Sequence, residues 1–298
     1  MTDVPEICAA LKGLQRQRKA HIRAKNREGN ASGAMVRTAL GWTLELPEKE
    51  REAIEKRASK IVKDIFDGEL SRVPDGLEDI ASSVEVFRDA MAPHEKRIAI
   101  IEREMVRLAR ELPVYPFARS VVGFGDKALA VVIGETGDLN LYPHFRHVWK
   151  RLGLAPFEGR AGSTWNLTGG MPEGGWATLG YSPRRRAEIY SMVGDPMGRL
   201  QWEAAKKSGT EFGRATGRYG EIYVARRERM KVSHPAGTPA QCKIDPLRWT
   251  KAHSHMDGLR IMTKALISDL WSEWRGSGRG LSATMSVALS TSLAAEAA

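Results

Sequence analysis

The sequence predicts a mainly α protein: a long coiled-coil helical arm followed by a helical domain with a helix-hairpin-helix element. Three observations predict it. Apolar residues recur at alternating three and four spacing from Leu77 to Leu112. Shorter stripes at helical spacing run through 47–67 and 254–274. Segments that alternate as a strand does are scarce, and the one apolar run that fits either state, Ala128 to Ile133, follows a Gly-x-Gly turn and reads as helix.

Pro5 to Gly41 reads as helical and basic, with Gly29 to Gly33 as a break. Within it, Gln15 to Arg27 has few large apolar residues, so it is expected to face solvent or phosphate. A second helix is predicted from about Pro47 to Asp67. Pro47 suits a first helical turn, where a missing N–H costs nothing. Ile54, Ala58, Ile61 and Ile65 form one stripe with Val62 and Phe66 beside it, and Gly68 is a fitting stop.

The third region carries the strongest period. Leu77, Ile80, Val84, Phe87, Met91, His94, Ile98, Ile101, Met105, Leu108 and Leu112 make a heptad seam whose one polar member is His94. Pro93 predicts a kink or break near Ala92. Such a seam closes either against the second helix or between two chains, and the reading taken is a homodimer. Pro113 ends the helix. Tyr115 to Arg199 is compact and glycine-rich. From Leu200 to Arg275 the chain reads as helical with a basic loop, and its last helix puts Leu259, Met262, Leu266, Leu270 and Trp274 on one side. The expected segments are therefore 1–70 (basic helices), 71–113 (coiled coil), 114–275 (helical domain) and 276–298, a tail of small and polar residues read as disordered. No internal repeat is evident.

Composition narrows the partners. The 298 residues hold 46 Lys and Arg against 36 Asp and Glu, a net charge of +10. The excess is clustered: eight Lys/Arg and one acid, Glu28, from Lys12 to Arg37, and twelve against five from Arg199 to Lys251. Clustered cations suit a polyanion, most commonly DNA or RNA. Cys8 and Cys242 stand far apart with no CxxC partner, which speaks against a disulfide scaffold or structural zinc and for a cytoplasmic location. No run is long enough to span a membrane and no signal-peptide core is present. Gly169 to Gly175 lacks the Gly-Lys-Ser/Thr ending of a phosphate-binding loop. No cofactor and no metal site is predicted.

One segment carries most of the functional information: Val122-Gly123-Phe124-Gly125-Asp126-Lys127, then a helix rich in small residues up to Glu135. Two glycines allow a tight turn between helices. The amides opening the second helix then point outward, where they and the helix dipole can hold a phosphate oxygen without reading bases. Lys127 in the first turn adds a contact, and Asp126 is a candidate N-cap. The Arg184, Arg185, Arg186 run is a second phosphate candidate. Trp165, Trp176, Tyr181, Tyr190 and Trp202 are interleaved with arginines, a pattern that suits stacking on unpaired bases as well as core packing. His144 with His147 has no matched carboxylate or cysteine and reads as a surface or packing pair, whereas His253 and His255, near Trp249 and Lys251, read equally as a nucleic-acid contact or as cap or core residues.

The run Val122-Gly-Phe-Gly125 through Ile133-Gly-Glu-Thr-Gly-Asp138, followed by Phe145 and Leu152-Gly-Leu-Ala-Pro156, resembles the C-terminal domain of the insertion-sequence transposases related to the Piv DNA invertase. The resemblance spans about residues 70 to 275. It takes in Arg184 to Tyr190 as a basic helix and His255 to Trp271 as a closing helix. It implies DNA transposition or site-specific recombination, DNA as partner and a guide RNA as a further one. It also implies two parts that this chain lacks or alters. The RuvC-like N-terminal domain, with its metal-binding carboxylates, has no counterpart in the first 70 residues. Where the family's serine nucleophile is expected, Ala161 stands instead, without a hydroxyl to attack phosphodiester. Ser163 is the remaining catalytic candidate. The expectation is thus a nucleic-acid-binding, transposase-like protein without its own catalytic site. The alternatives are a recombinase subunit that uses Ser163 with a separate RuvC-like part, and a coiled-coil structural protein.

Overall fold

The computed structural model describes residues 3–155, 182–245 and 247–276. Ala161, Ser163, Trp165, Trp176, Tyr181 and the 277–298 tail lie outside the described residues. Helix dominates, as the periodicity predicts. Among the described residues strand pairing amounts to a two-residue antiparallel ladder, Trp202–Glu203 with Arg214–Ala215, and one isolated bridge between Ala236 and Trp249. The chain forms two compact units. One is residues 14–104. The other takes residues 1–13 together with the chain from 105 onward. The arm segments expected at 1–70 and 71–113 thus contribute mostly to one unit.

In the 14–104 unit, α1 (Val4–Ala39), α2 (Glu48–Phe66) and α3 (Glu78–Ala109) supply a core of Val36, Ala58, Ile61, Ile65, Ala81 and Val84. Leu77 and Ile80 pack against that core. Further along the seam a Cβ on Gly29 would lie 3.9 Å from Met91, and His94 meets His21 with their Nδ1 atoms 3.0 Å apart. The polar seam position is therefore matched by a polar residue on the facing helix. Leu77, Ile80, Val84, Met91 and His94 of the heptad seam thus meet residues of their own chain.

Three expectations change here. No break occurs at Gly29 to Gly33, because α1 runs through both glycines. Each costs about 1 kcal/mol relative to Ala in a helix, and burial of the face that carries Gly29 and Ser32 offsets this. Nor does Pro93 break α3. Pro93 is exposed, as is Asp89, so the carbonyl that loses its donor stays in contact with water. Lastly, the polar stretch of α1 does not face solvent on all sides. Gln15 and Arg18 are buried, and Arg18 Nε donates to Glu102 Oε1 at 2.8 Å.

The larger unit is organised around its last helix. It contains α4 (Tyr115–Ser120), α5 (Asp126–Thr136), α6 (Phe145–Arg151), α7 (Pro183–Ile189), α8 (Asp195–Gln201), α9 (Ala205–Ser208), α10 (Arg218–Ser233), α11 (Pro239–Ile244) and α12 (Lys251–Gly276). The predicted stripe Leu259, Met262, Leu266, Leu270 and Trp274 is buried on α12. Three indoles tie the 138–149 region to this helix. Trp149 donates to the Lys264 carbonyl at 2.9 Å, Trp271 to the Tyr142 carbonyl at 3.1 Å and Trp274 to Asp138 at 3.0 Å. Tyr190–Gly194 joins α7 to α8 as a π-helical turn. That widening falls just before Pro196, whose ring would otherwise press on the carbonyl four residues back.

Candidate nucleic-acid interface

The glycine turn joins α4 to α5, but half of it faces inward. Gly123 has φ +86°, which favours glycine, and a Cβ there would lie 2.8 Å from the Met197 backbone. Phe124 is 1% exposed. The Val122 carbonyl accepts from Gln201 Nε2 at 2.6 Å. Gly125, the residue before the helix, is exposed with open space around it, and Lys127 is half-buried. Gly125 rather than Asp126 occupies the cap position. The Asp126 carboxylate instead lies in the first turn, accepting from Arg110 at 2.8 Å and from the Tyr115 hydroxyl at 3.2 Å, with Arg119 at 3.8 Å. The outer half of the corner therefore offers helix amides with Arg110, Arg119 and Lys127 around a single carboxylate.

The arginine run belongs elsewhere. Arg185 Nε donates to the buried Glu135 at 2.6 Å and its Nη1 to the Arg151 carbonyl at 2.8 Å. Arg186 reaches the Gly153 carbonyl at 3.3 Å and the Tyr190 hydroxyl at 3.2 Å. Both of these half-buried guanidiniums hydrogen-bond within the fold, whereas Arg184 is exposed. Glu135 and Asp126 stand at opposite ends of α5, about 14 Å apart along the axis. The structure thus does not bring the run and the glycine corner together. The Gly-Leu-x-Pro motif also gains a structural reason. Gly153, φ +74°, stops α6, the Leu154 amide reaches back to the Trp149 carbonyl at 2.9 Å, and Leu154 is fully buried.

A second place was not assembled by sequence reasoning. A cavity of about 640 Å³ opens beside the small ladder, with Asp195, Arg199, Trp202, Glu203, Lys207, Arg214, His255 and Leu259 among its lining. Its wall depends on close approach. Gly213, φ +85°, lies so near Trp202 that a Cβ would overlap the indole nitrogen, and a Cβ on Gly220 would overlap the Gln201 carbonyl. The Trp202 N–H donates to the Phe212 carbonyl at 2.7 Å. Behind it the Arg227 guanidinium lies 5.6, 5.1 and 5.3 Å from the rings of Trp202, Phe212 and Tyr223.

Hydrogen bonding fixes the chemistry of the histidine. Arg227 Nη1 donates to the Tyr223 oxygen at 3.1 Å, and that oxygen lies 2.6 Å from His255 Nδ1. Burial raises the Tyr223 pKa, so the phenol keeps its proton. Burial, followed by the charge of Arg227, lowers that of His255, so the imidazole is neutral at pH 7. The phenol proton then goes to Nδ1, and the imidazole proton sits on Nε2. Around the rim, Arg214 pairs with Glu203 at 2.9 Å and Arg199 lies 3.9 Å from Asp195, while Lys207 has no ion-pair partner among the described residues. The readable signal for this place was the basic excess after Arg199 together with Trp202. What the sequence does not carry is the pairing of 202–203 with 214–215, which brings them to one side.

Compared with family models, curated proteins and solved structures, the chain matches none of them.

Proposed function

We propose that this chain is a nucleic-acid-binding, transposase-like protein of mobile-element origin, acting in or derived from DNA transposition or site-specific recombination, and that it binds without catalysing strand transfer itself. The observation that carries the binding is the cation rim of Arg199, Lys207 and Arg214 around the Trp202 cavity, within the most basic stretch of the larger unit. The open half of the glycine corner, with Arg110, Arg119 and Lys127, supports a second phosphate contact. The transposase origin rests on the resemblance of residues 122–156, and DNA with a guide RNA are the partners it implies.

Fluorescence anisotropy with labelled DNA and RNA across a salt series tests the reading. Affinity is expected to fall steeply with salt, and Lys207→Ala and Lys127→Ala are each expected to reduce the log–log slope by about one. Absence of binding to either polymer at low salt would sink it.

A further inference from the structure

We propose that the cavity beside Trp202 receives one unpaired nucleotide of a nucleic acid strand, with its base against the indole and its phosphate at Lys207 and Arg214. The inference rests on the nucleic-acid reading above and adds the class of nucleotide to it. Size comes first. At about 640 Å³ the space is that of a small-molecule pocket, suited to one nucleotide and closed to a duplex. The indole N–H is already spent on the Phe212 carbonyl, so Trp202 offers the cavity an apolar aromatic surface rather than a donor. Stacking of this kind tolerates any base. His255 adds a polar contact. Its Nδ1 is committed to Tyr223, and its Nε2–H has no partner among the described residues on a ring that lines the cavity. That N–H suits a ring nitrogen or carbonyl on a base edge. Lys207, whose ammonium has no carboxylate partner among the described residues, and Arg214, shared with Glu203, supply charge for the phosphate.

The wall is also held in advance. Arg227 is wedged among three aromatic rings and donates to Tyr223, which orients His255. Gly213 and Gly220 let the ladder and α10 close on it. Little ordering then remains to be done when a base enters.

The test uses the full chain and three labelled probes in anisotropy: a 15-nucleotide thymidine strand, the same strand with abasic sites, and a duplex of equal length. Thymidine monophosphate serves as a competitor. The base-bearing strand is expected to bind roughly 10-fold or more tighter than the abasic one. Trp202→Ala should erase that preference, Trp202→Phe should keep most of it, and Lys207→Ala should weaken both strands equally. His255→Ala should reduce the preference in part, and millimolar thymidine monophosphate should compete only weakly. Circular dichroism of each variant separates loss of fold from loss of contact, and Trp202→Phe reports on the contact where the alanine variant does not fold. Equal, salt-dependent binding of all three probes overturns this inference and leaves the nucleic-acid reading standing. No binding to any probe removes both. Tight binding of the free nucleotide that the strand cannot displace assigns the cavity to a small metabolite and overturns the proposal.

Discussion

Asp257 and Asp269 stand on the same helix and respond to burial in opposite ways. Asp257 is mostly buried, and burial alone would raise its pKa. Arg260 at 2.5 Å and Arg226 at 2.6 Å outweigh that and hold it below the ordinary 3.8. Its contribution to stability is complete above that value and is lost as pH falls through the lowered pKa. Asp269 bonds to the Tyr219 hydroxyl at 2.7 Å and to Arg218 at 3.1 Å, yet burial wins and its pKa is raised. That group disfavours the folded state as pH rises from the ordinary value through the raised one. Urea denaturation between pH 3 and 7 reads the difference. At pH 7 Asp257→Asn is expected to lose on the order of 3 kcal/mol, since two half-paired guanidiniums stay behind. The gap to wild type should narrow on acidification. A gap that widens toward pH 3 would contradict this assignment. Of these pairings, Asp257 with Arg260, three apart on one helix, has a local signal, and the others do not. Asp257 and Arg226 lie 31 positions apart, and Arg185 finds Glu135 across 50, so a run of three arginines looked like a single surface feature when two of its members face inward.

At the scale of helices and turns, one side chain joins the two candidate contact places. Gln201 is 4% exposed and ends α8. Its Nε2 donates to the Val122 carbonyl of the glycine corner at 2.6 Å, its Oε1 accepts from the Tyr219 amide at 3.2 Å, and Trp202 follows it directly. Replacing it with leucine keeps the bulk but leaves a carbonyl and an amide without partners, at about 1–3 kcal/mol for each buried group. Gln201→Leu is therefore expected to lower stability by roughly 2–5 kcal/mol in chemical denaturation. It should also weaken nucleic-acid binding at both places, whereas a change smaller than about 0.5 kcal/mol would refute the linking role. The helices themselves were legible because their signal is local. The stripes of α2 and α12 repeat within a few residues and come out buried, apart from the half-buried Ile54, Val62 and Phe66 of α2. The breaks were not legible. Glycine and proline weigh on a helix from within, but whether it stops depends on the face they occupy. The cavity was illegible for a similar reason: its lining comes from 195–216 and from 255–259, brought together by a two-residue ladder that has no repeat to detect.

For the whole molecule, the division into units does not follow chain order. The opening of α1 belongs with the far part of the chain: Ile7, Cys8 and Leu11 are buried, and the Lys12 side chain lies against Gly137. A variant lacking residues 3–13 is expected to lose amide protection in α5 and α12 by hydrogen exchange while α2 keeps its own. Unchanged protection throughout would mean those eleven positions are dispensable. The arrangement also sets a timetable during synthesis. Residues 14–104 are complete early and can fold on leaving the ribosome, while the short apolar opening that precedes them has no lasting place to go. At about 5–20 residues per second, Ile7 and Leu11 wait on the order of ten seconds before Gly137 is even polymerised. A nascent chain built this way carries an uncovered adhesive segment ahead of a finished domain. Slowed translation between codons 104 and 137 should therefore raise chaperone capture and aggregation more than an equal pause further downstream.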